Sequence, residues 1–412
     1  MPIQVNASRL LDDLHTLATF TEPNTPGWTR RFPSEAYLGG RQWLRRKLEA
    51  EGLVTSLDAA GNLFGRREGR EKLPPLLTGS HTDTVMGAGR YDGMLGVLGG
   101  LEAARCLREA GIALRHPLCV VDYFAEEAND YAIACMGSLA LVGQFNREWL
   151  IRHVQGLTLE RAIMEGGGLP ERLGPPLMTS GDVAAHLELH IEQGPILDQH
   201  QVTLGAVDGI YGICRARIVL RGKENHAGTW PMDFRHDALA AAAQLIVAIE
   251  SIARSEPRSV GTVGKLDVSP NQGNVIPGGV ILMAEMRHLD MAILDRMWAA
   301  FMEKAQAACA ERGVTMEVIT STRMDSVVAP DWLREIVLNV CRALDPQTMI
   351  VSSGAGHDTS YMSLIAPAAM IFVPSIDGRS HAPEENTLPE HLARGVQALA
   401  EVLVEIDQKL DS

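Results

Sequence analysis

Apolar residues recur at three- and four-residue spacing over about 6–20 (Leu10, Leu11, Leu14, Leu17) and 34–52 (Leu44, Leu48), which predicts two opening helices. Apolar runs at Leu76–Gly79, Pro117–Ala125 and Ala185–Ile191 predict strands, and a glycine-punctuated helix from Gly93 to Ala110 separates the first two. Strand, helix and strand in that order mean an α/β layer structure with a mostly parallel sheet. Chemistry in such sheets collects at the carboxyl ends of the strands. His81, Glu126, Glu127 and His190 all fall at or just past such ends.

From about residue 210 the texture changes. Ile213–Leu220, Val260–Val268, Val280–Arg287 and Thr315–Ser321 read as strands, with helices at Asp237–Ala253 and Leu294–Arg312 between them. That β-α-β-β-α-β order predicts a ferredoxin-like α+β module. The α/β pattern then returns, with helix Asp331–Leu344, strand Ala368–Val373 and a last helix from about His391. The expected organisation is therefore one domain made of 1–209 and 328–412, with 210–327 inserted into it.

Length and composition agree with this division. A chain of 412 residues exceeds one ordinary domain, and 46% hydrophobic content supports a sizeable core. A net charge of −14 supplies no basic field to collect phosphates, so nucleic acid and anionic membrane are not expected partners. No run is expected to reach the roughly 18 apolar residues of a membrane span. The first twenty residues read as an amphipathic helix rather than a signal peptide. Six scattered cysteines without a CxxC pair predict buried free thiols and a reducing, cytoplasmic setting.

Five ligand-type residues come from five separate segments. GSHTDTV carries His81 and Asp83, RYDGMLGV carries Asp92, and VVDYFAEEAND carries Glu126 and Glu127; HLELHIEQGP carries His190 and SIDGRSHAPEE carries His381. Such a set fits two cations sharing one carboxylate, and mixed imidazole and carboxylate suit zinc, manganese or cobalt. The adjacent glutamates divide into two jobs, one holding metal and the other moving the proton of an attacking water. Each residue also has a plainer reading. A strand-end histidine is commonly structural, paired glutamates commonly form a solvated face, and Asp92 could simply cap the helix that follows. Their joint occurrence favours the metal reading.

GSHTDTV…GRYDGMLGVLGGLE, the glutamate pair, ELHIEQGP, NHAGTWPMDFRHDAL, NVIPG, SGAGHD and IFVPSIDGRSHAPEE together resemble the N-carbamoyl-L-amino acid hydrolase and allantoate amidohydrolase branch of the M20 metallopeptidase family, from about residue 10 to 405. The resemblance implies two divalent ions per subunit. His81, Asp92 and His190 would hold one, with Asp92 bridging, and Glu127 and His381 would complete the second site. Glu126 would be the general base, and Asp83 would orient the His81 imidazole. The inserted module would act as lid and dimerisation domain of a homodimer. From it His226 would stabilise the oxyanion, and Asn274 and Arg287 would grip the carboxylate of a small substrate. Gln193, Arg215 and His357 would line the pocket. The implied reaction is hydrolysis of the carbamoyl or ureido C–N bond of an N-carbamoyl-L-amino acid-type substrate. Allantoate, ureidoglycolate or another small amide or amine is the alternative.

An independent argument supports Arg287, because a guanidinium fork emerging beside an apolar strand suits bidentate carboxylate binding. An aminopeptidase is disfavoured by ELHIEQGP and SGAGHD, and a non-catalytic metal-binding protein would need no Glu126. Three departures from the family pattern bear on specificity: Ala128-Asn129-Asp130-Tyr131 after the glutamate pair, Trp230 in the lid motif and Glu285 in place of an aspartate. Asp130, in place of a cation, is expected to disfavour a second anionic group on the substrate.

Overall fold

The computed structural model describes residues 2–410. Two helices open the chain, α1 (Ala7–Ala18) and α2 (Glu35–Ala50), capped by Asn6 and Ser34, whose side chains accept the amides of Arg9 and Tyr37. Strands β1 (Val54–Leu57), β2 (Leu63–Arg67) and β3 (Leu76–His81) precede helix α3 (Met94–Glu109) and strands β4 (Leu118–Tyr123), β5 (Ala185–Ile191) and β6 (Gly205–Ile210). The middle of the chain supplies β7 (Gly212–Arg221), α4 (Ala238–Ser255), β8 (Val260–Ser269), β9 (Gly279–His288), α5 (Met291–Glu311) and β10 (Thr315–Met324). Helix α6 (Asp331–Leu344), strands β11 (Met349–Ser353) and β12 (Ala368–Val373) and helix α7 (Pro389–Lys409) complete it.

The described chain divides into two units, one reaching Gly209 and resuming at Ala329, the other Ile210–Val328. In the first, the sheet order is β1-β2-β4-β3-β5-β12-β6, with β11 paired to β6. Its centre, β4-β3-β5-β12, is parallel, and antiparallel pairs flank it on both sides. The expected α/β class with a mostly parallel sheet is what forms. Strands β1, β2, β6 and β11 carry no clear alternation, and the sequence pattern passes over them.

All seven residues of β5 are buried. Leu187, Leu189 and Ile191 join the core that α3 and α7 share, so the alternate residues His186, Glu188 and His190 lie on the opposite face. Helix α3 packs closely on these strands at Gly96. A Cβ there would sit 2.6 Å from both the Leu189 carbonyl oxygen and Ser80 Cβ. This close approach brings the segment leading into α3 up to the ends of β3 and β5.

The second unit is a four-stranded antiparallel sheet in the order β8-β9-β7-β10 with two helices. Cys214, Ala216, Ile218 and Leu220 of β7 and Val280, Leu282, Ala284 and Met286 of β9 form one core with Leu245, Ile249 and Phe301. One expectation is corrected here. Helix α4, Ala238–Ser255, is long and apolar enough to cross a membrane by length and composition. Its alanine-rich face (Ala238, Ala241, Ala242, Leu245, Ile249) is nonetheless part of that core. All six cysteines are free and buried.

Candidate metal centre

Helix α3 begins after Gly93, whose φ of +72° and bare Cα let the turn pass against His81; a Cβ would stand 2.4 Å from the imidazole. The residue before it, Asp92, does not cap the helix, since the cap position is Gly93 and no side-chain bond is made there. Its carboxylate turns instead toward His190 Nε2 at 3.2 Å, His381 Nε2 at 3.1 Å and His81 Nε2 at 3.9 Å. The plain helix-cap reading of Asp92 therefore fails.

Two groups of potential ligand atoms lie within 4.8 Å of one another and share Asp92. One is His81, Asp92 and His190; the other is Asp92, Glu127 and His381. Glu127 Oε1 is 3.4 Å from His381 Nε2, and Glu126 Oε2 is 3.5 Å from His81 Nε2. The structure brings together all five expected ligands and the expected base.

The donors are aimed by their other contacts. His190 Nδ1 donates to the Ile191 carbonyl at 2.8 Å and His81 Nδ1 to that of Asp83 at 3.0 Å, which leaves each Nε2 to supply a lone pair once a cation displaces its proton. Gln193 donates to Asp92 Oδ2 at 2.9 Å while its own Oε1 is buried without a partner among the described residues. Ala125, Gln193 and His381 all have φ between +52° and +57°. Strain at three positions around one cluster marks a site rather than a surface. Imidazole, carboxylate and an orphaned amide oxygen form a donor set that fits divalent cations.

The electrostatics agree. Burial pushes the Glu126 carboxyl well above its ordinary range, and Glu127, Asp358 and Asp83 add to this against His81. His381 is raised to about 11 by its bonds to Asp92 and Glu127. Burial would lower His81, but Glu126, Asp83, Asp92 and Glu127 outweigh it and hold it well above its ordinary value. Negative charge concentrated in a dry place is what a cation site requires.

Several expectations change. The Asp83 carboxylate is 3.7 Å from His81 Nδ1, and instead accepts the amides of Glu126 and Glu127 at 3.1 and 3.0 Å. It fixes the glutamate pair and meets the imidazole through its carbonyl. His357, expected on the pocket wall, is only 3% exposed. It bonds Ser353 Oγ at 2.7 Å and lies edge-on to His190, ring centroids 4.7 Å apart, so it packs behind that histidine. Asp130 is exposed, outside the ligand groups, with its carboxylate 3.8 Å from Arg31 in a separate hollow. Its charge has a local cation to answer it. Sequence reasoning also missed Glu385, 1% exposed, which accepts the Tyr91 and Asp92 amides at 2.9 and 3.2 Å and the Ser380 hydroxyl at 3.0 Å. Its place in SHAPEE, four residues after His381, was the available signal.

In the second unit, a two-stranded ribbon pairs His226 with Val275, so that Asn274 and His226 are neighbours, and the Asn274 carbonyl accepts the Ala227 amide at 2.9 Å. The Gly228 amide donates to His226 Nδ1 at 3.0 Å, which leaves the hydrogen on Nε2 as an outward donor. Trp230 Nε1 closes this turn on the Phe234 carbonyl at 2.8 Å. Arg215 and Arg287 lie on the sheet face opposite the core. Glu285 takes both, Arg287 Nε at 2.6 Å and Arg215 through its guanidinium.

Comparison with known proteins gives a consistent answer. Residues 74–405 match peptidase family M20/M25/M40. The chain is 34% identical over 406 residues to an N-carbamoyl-L-amino acid amidohydrolase of Geobacillus stearothermophilus, covering 98% of this chain and 99% of that one. It is 31% identical to a ureidoglycolate hydrolase of Arabidopsis thaliana, covering 98% and 87%. A crystal structure of an amidase of the hydantoinase/carbamoylase family from Burkholderia multivorans superposes with a TM-score of 0.91 at 33% identity, covering 98% of each chain. With its ligand groups formed and the match running through most of its length, the chain belongs to peptidase family M20/M25/M40.

Proposed function

We propose that the protein is a two-metal amidohydrolase that cleaves the carbamoyl or ureido C–N bond of a small N-carbamoyl-L-amino acid-type substrate. The observation that carries this is Asp92, a single carboxylate common to two groups of ligand atoms. When bound there, two divalent ions, zinc, manganese or cobalt, would acidify water and polarise the scissile carbonyl. Glu126 takes the proton of the attacking water and delivers it to the departing nitrogen, a role suited to a buried carboxyl whose proton affinity is raised. Asp83 keeps Glu126 and Glu127 in their separate orientations. Gln193, tied to Asp92, offers its amide to the substrate.

The module Ile210–Val328 serves in this reading as lid and as the pairing surface of a homodimer. His226, with Nε2 as donor, steadies the oxyanion, and Asn274, Arg287 and Arg215 bind the substrate carboxylate. Glu285 holds the two arginines together as a pair. Val260, Leu266, Val318, Ile319 and Met324 are exposed on its outer strands and support the pairing role. A cytoplasmic location accords with six unpaired thiols. Ureidoglycolate or allantoate is the second reading, favoured by the similarity to the Arabidopsis thaliana enzyme along almost the whole chain.

The test is Glu126→Gln. It should keep its metal and lose turnover by about 10²–10⁴-fold, the usual contribution of general acid–base catalysis. Near-normal kcat would remove Glu126 from its role. Loss of metal from Glu126→Gln but not Glu127→Gln would exchange the two assignments.

A further inference from the structure

Behind the glutamate pair lies a buried cluster that the reading above does not use: Cys135, Ser138 and Asp358, respectively 6%, 0% and 0% exposed. Cys135 Sγ is 3.3 Å from Glu126 Oε1, and the Cys135 amide donates to the Glu126 carbonyl at 2.6 Å. The other oxygen of Glu126, Oε2, is the one that faces His81 Nε2 at 3.5 Å. One carboxylate oxygen thus meets the metal ligands and the other meets a thiol.

We propose that Cys135, anchored by Ser138 and Asp358, is a positioning residue that fixes the rotation of the Glu126 carboxylate for proton transfer. The last torsion of a glutamate side chain is broad, so without a partner on Oε1 the group would sample orientations that do not face the water. The thiol S–H is a weak donor in water, but it counts for more in a dry site where no solvent competes. The backbone is committed to presenting it. Cys135 has φ +51°, a conformation that a residue with a side chain holds only when its surroundings impose it. Those surroundings are evident. Ser138 Oγ lies 3.2 Å from the Cys135 carbonyl and 2.5 Å from Asp358 Oδ1, and the Met136 and Gly137 amides donate to the carbonyls of Ala125 and Phe124. Among the described residues Asp358 Oδ2 is buried without a hydrogen-bond partner and Oδ1 meets Ser138, so this carboxyl stays in a costly place. The cluster also accounts for part of the SGAGHD motif, since Asp358 is its last residue.

The proposal rests on Glu126 being the proton-transfer group, and the experiment separates the two. Cys135→Ala, Cys135→Gly, Cys135→Ser and Glu126→Gln are compared for kcat, KM and metal content. The readout is ammonia release from N-carbamoyl-L-alanine, allantoate or ureidoglycolate, whichever the wild type turns over fastest. Glycine is included because it accepts the left-handed backbone without strain, so folding survives even if alanine disturbs it. Cys135→Ala and Cys135→Gly should lose about 10–100-fold in kcat, the scale of a misplaced catalytic group, at unchanged KM and metal content. Cys135→Ser, which restores a donor, should recover most of it. Wild-type kcat in both donor-free variants overturns the proposal while leaving Glu126 in place. So does a serine variant as slow as alanine, because the donor would then be irrelevant. Wild-type turnover in Glu126→Gln overturns both readings together.

Discussion

Asp83 Oδ2 accepts the backbone amide of Glu127 at 3.0 Å, tying the loop after β4 to the segment after β3. Its other oxygen takes the Glu126 amide at 3.1 Å. An asparagine can accept only one of these amides and turns a donor toward the other. Asp83→Asn should therefore destabilise the fold by about 1–3 kcal/mol, the cost of a buried donor left unsatisfied. Metal affinity should fall with it, since Glu127 is released. Thermal unfolding and metal content measured on the same preparation check this, and an unchanged melting temperature would contradict it.

Gly93 leaves no room for a side chain beside the His81 ring. With φ +72° and a Cβ position 2.4 Å from the His81 ring, Gly93→Ala must displace either the imidazole or Asp92. The expected result is a folded protein that binds metal poorly and turns over about 100-fold more slowly or worse, because ligand geometry is lost. Circular dichroism unchanged alongside depleted metal would agree. Full metal content and full activity would not.

Acid should weaken the fold through His186. Burial lowers this histidine from its ordinary 6.5 to about 4, and Glu188 opposes the shift only in part. The unfolded chain takes up a proton as pH drops below about 6.5, whereas the folded chain does not until about 4. The stability His186 contributes near neutrality is therefore lost as pH falls through that window, by roughly 3 kcal/mol in all. Denaturant midpoints between pH 7 and 4 should slope less steeply in His186→Gln than in the wild type. Parallel slopes would show that His186 ionises alike in both states.

Much of the candidate site was legible because His81, Glu127 and His190 fall at or just past strand ends and all five candidate ligands lie inside distinctive segments. His81, Asp92, Glu127, His190 and His381 each have a local signal, and the sheet order brings those ends together. In β5 the alternation of His186, Glu188 and His190 inside a buried strand is itself a sign of a polar layer on one face. Contacts that depend on chain closure were less legible. Glu385 serves the Tyr91 and Asp92 amides from nearly 300 residues away, and no local pattern announces that. His357 reads as a pocket residue in its glycine-rich motif, yet Ser353 and Phe372 draw it under His190. Asp130 stands three residues beyond Glu127, but the turn that Asn129 makes with the Tyr131 amide goes with a carboxylate lying near Arg31. Sequence proximity to Glu127 did not place Asp130 among the candidate ligands.

The proposed reaction depends on a bridged pair of cations acting on a ureido-type C–N bond. The most direct measurement strips the protein with a chelator, restores manganese, cobalt or zinc in steps, and follows ammonia release. N-carbamoyl-L-amino acids, allantoate, ureidoglycolate and a dipeptide control form the substrate panel. Activity should vanish on stripping and return fully only at about two ions per chain, as a shared-carboxylate site requires. It should return on a carbamoyl or ureido compound, not on the dipeptide. Full activity at one ion per chain, or turnover confined to the dipeptide, would overturn the two-metal ureido reading.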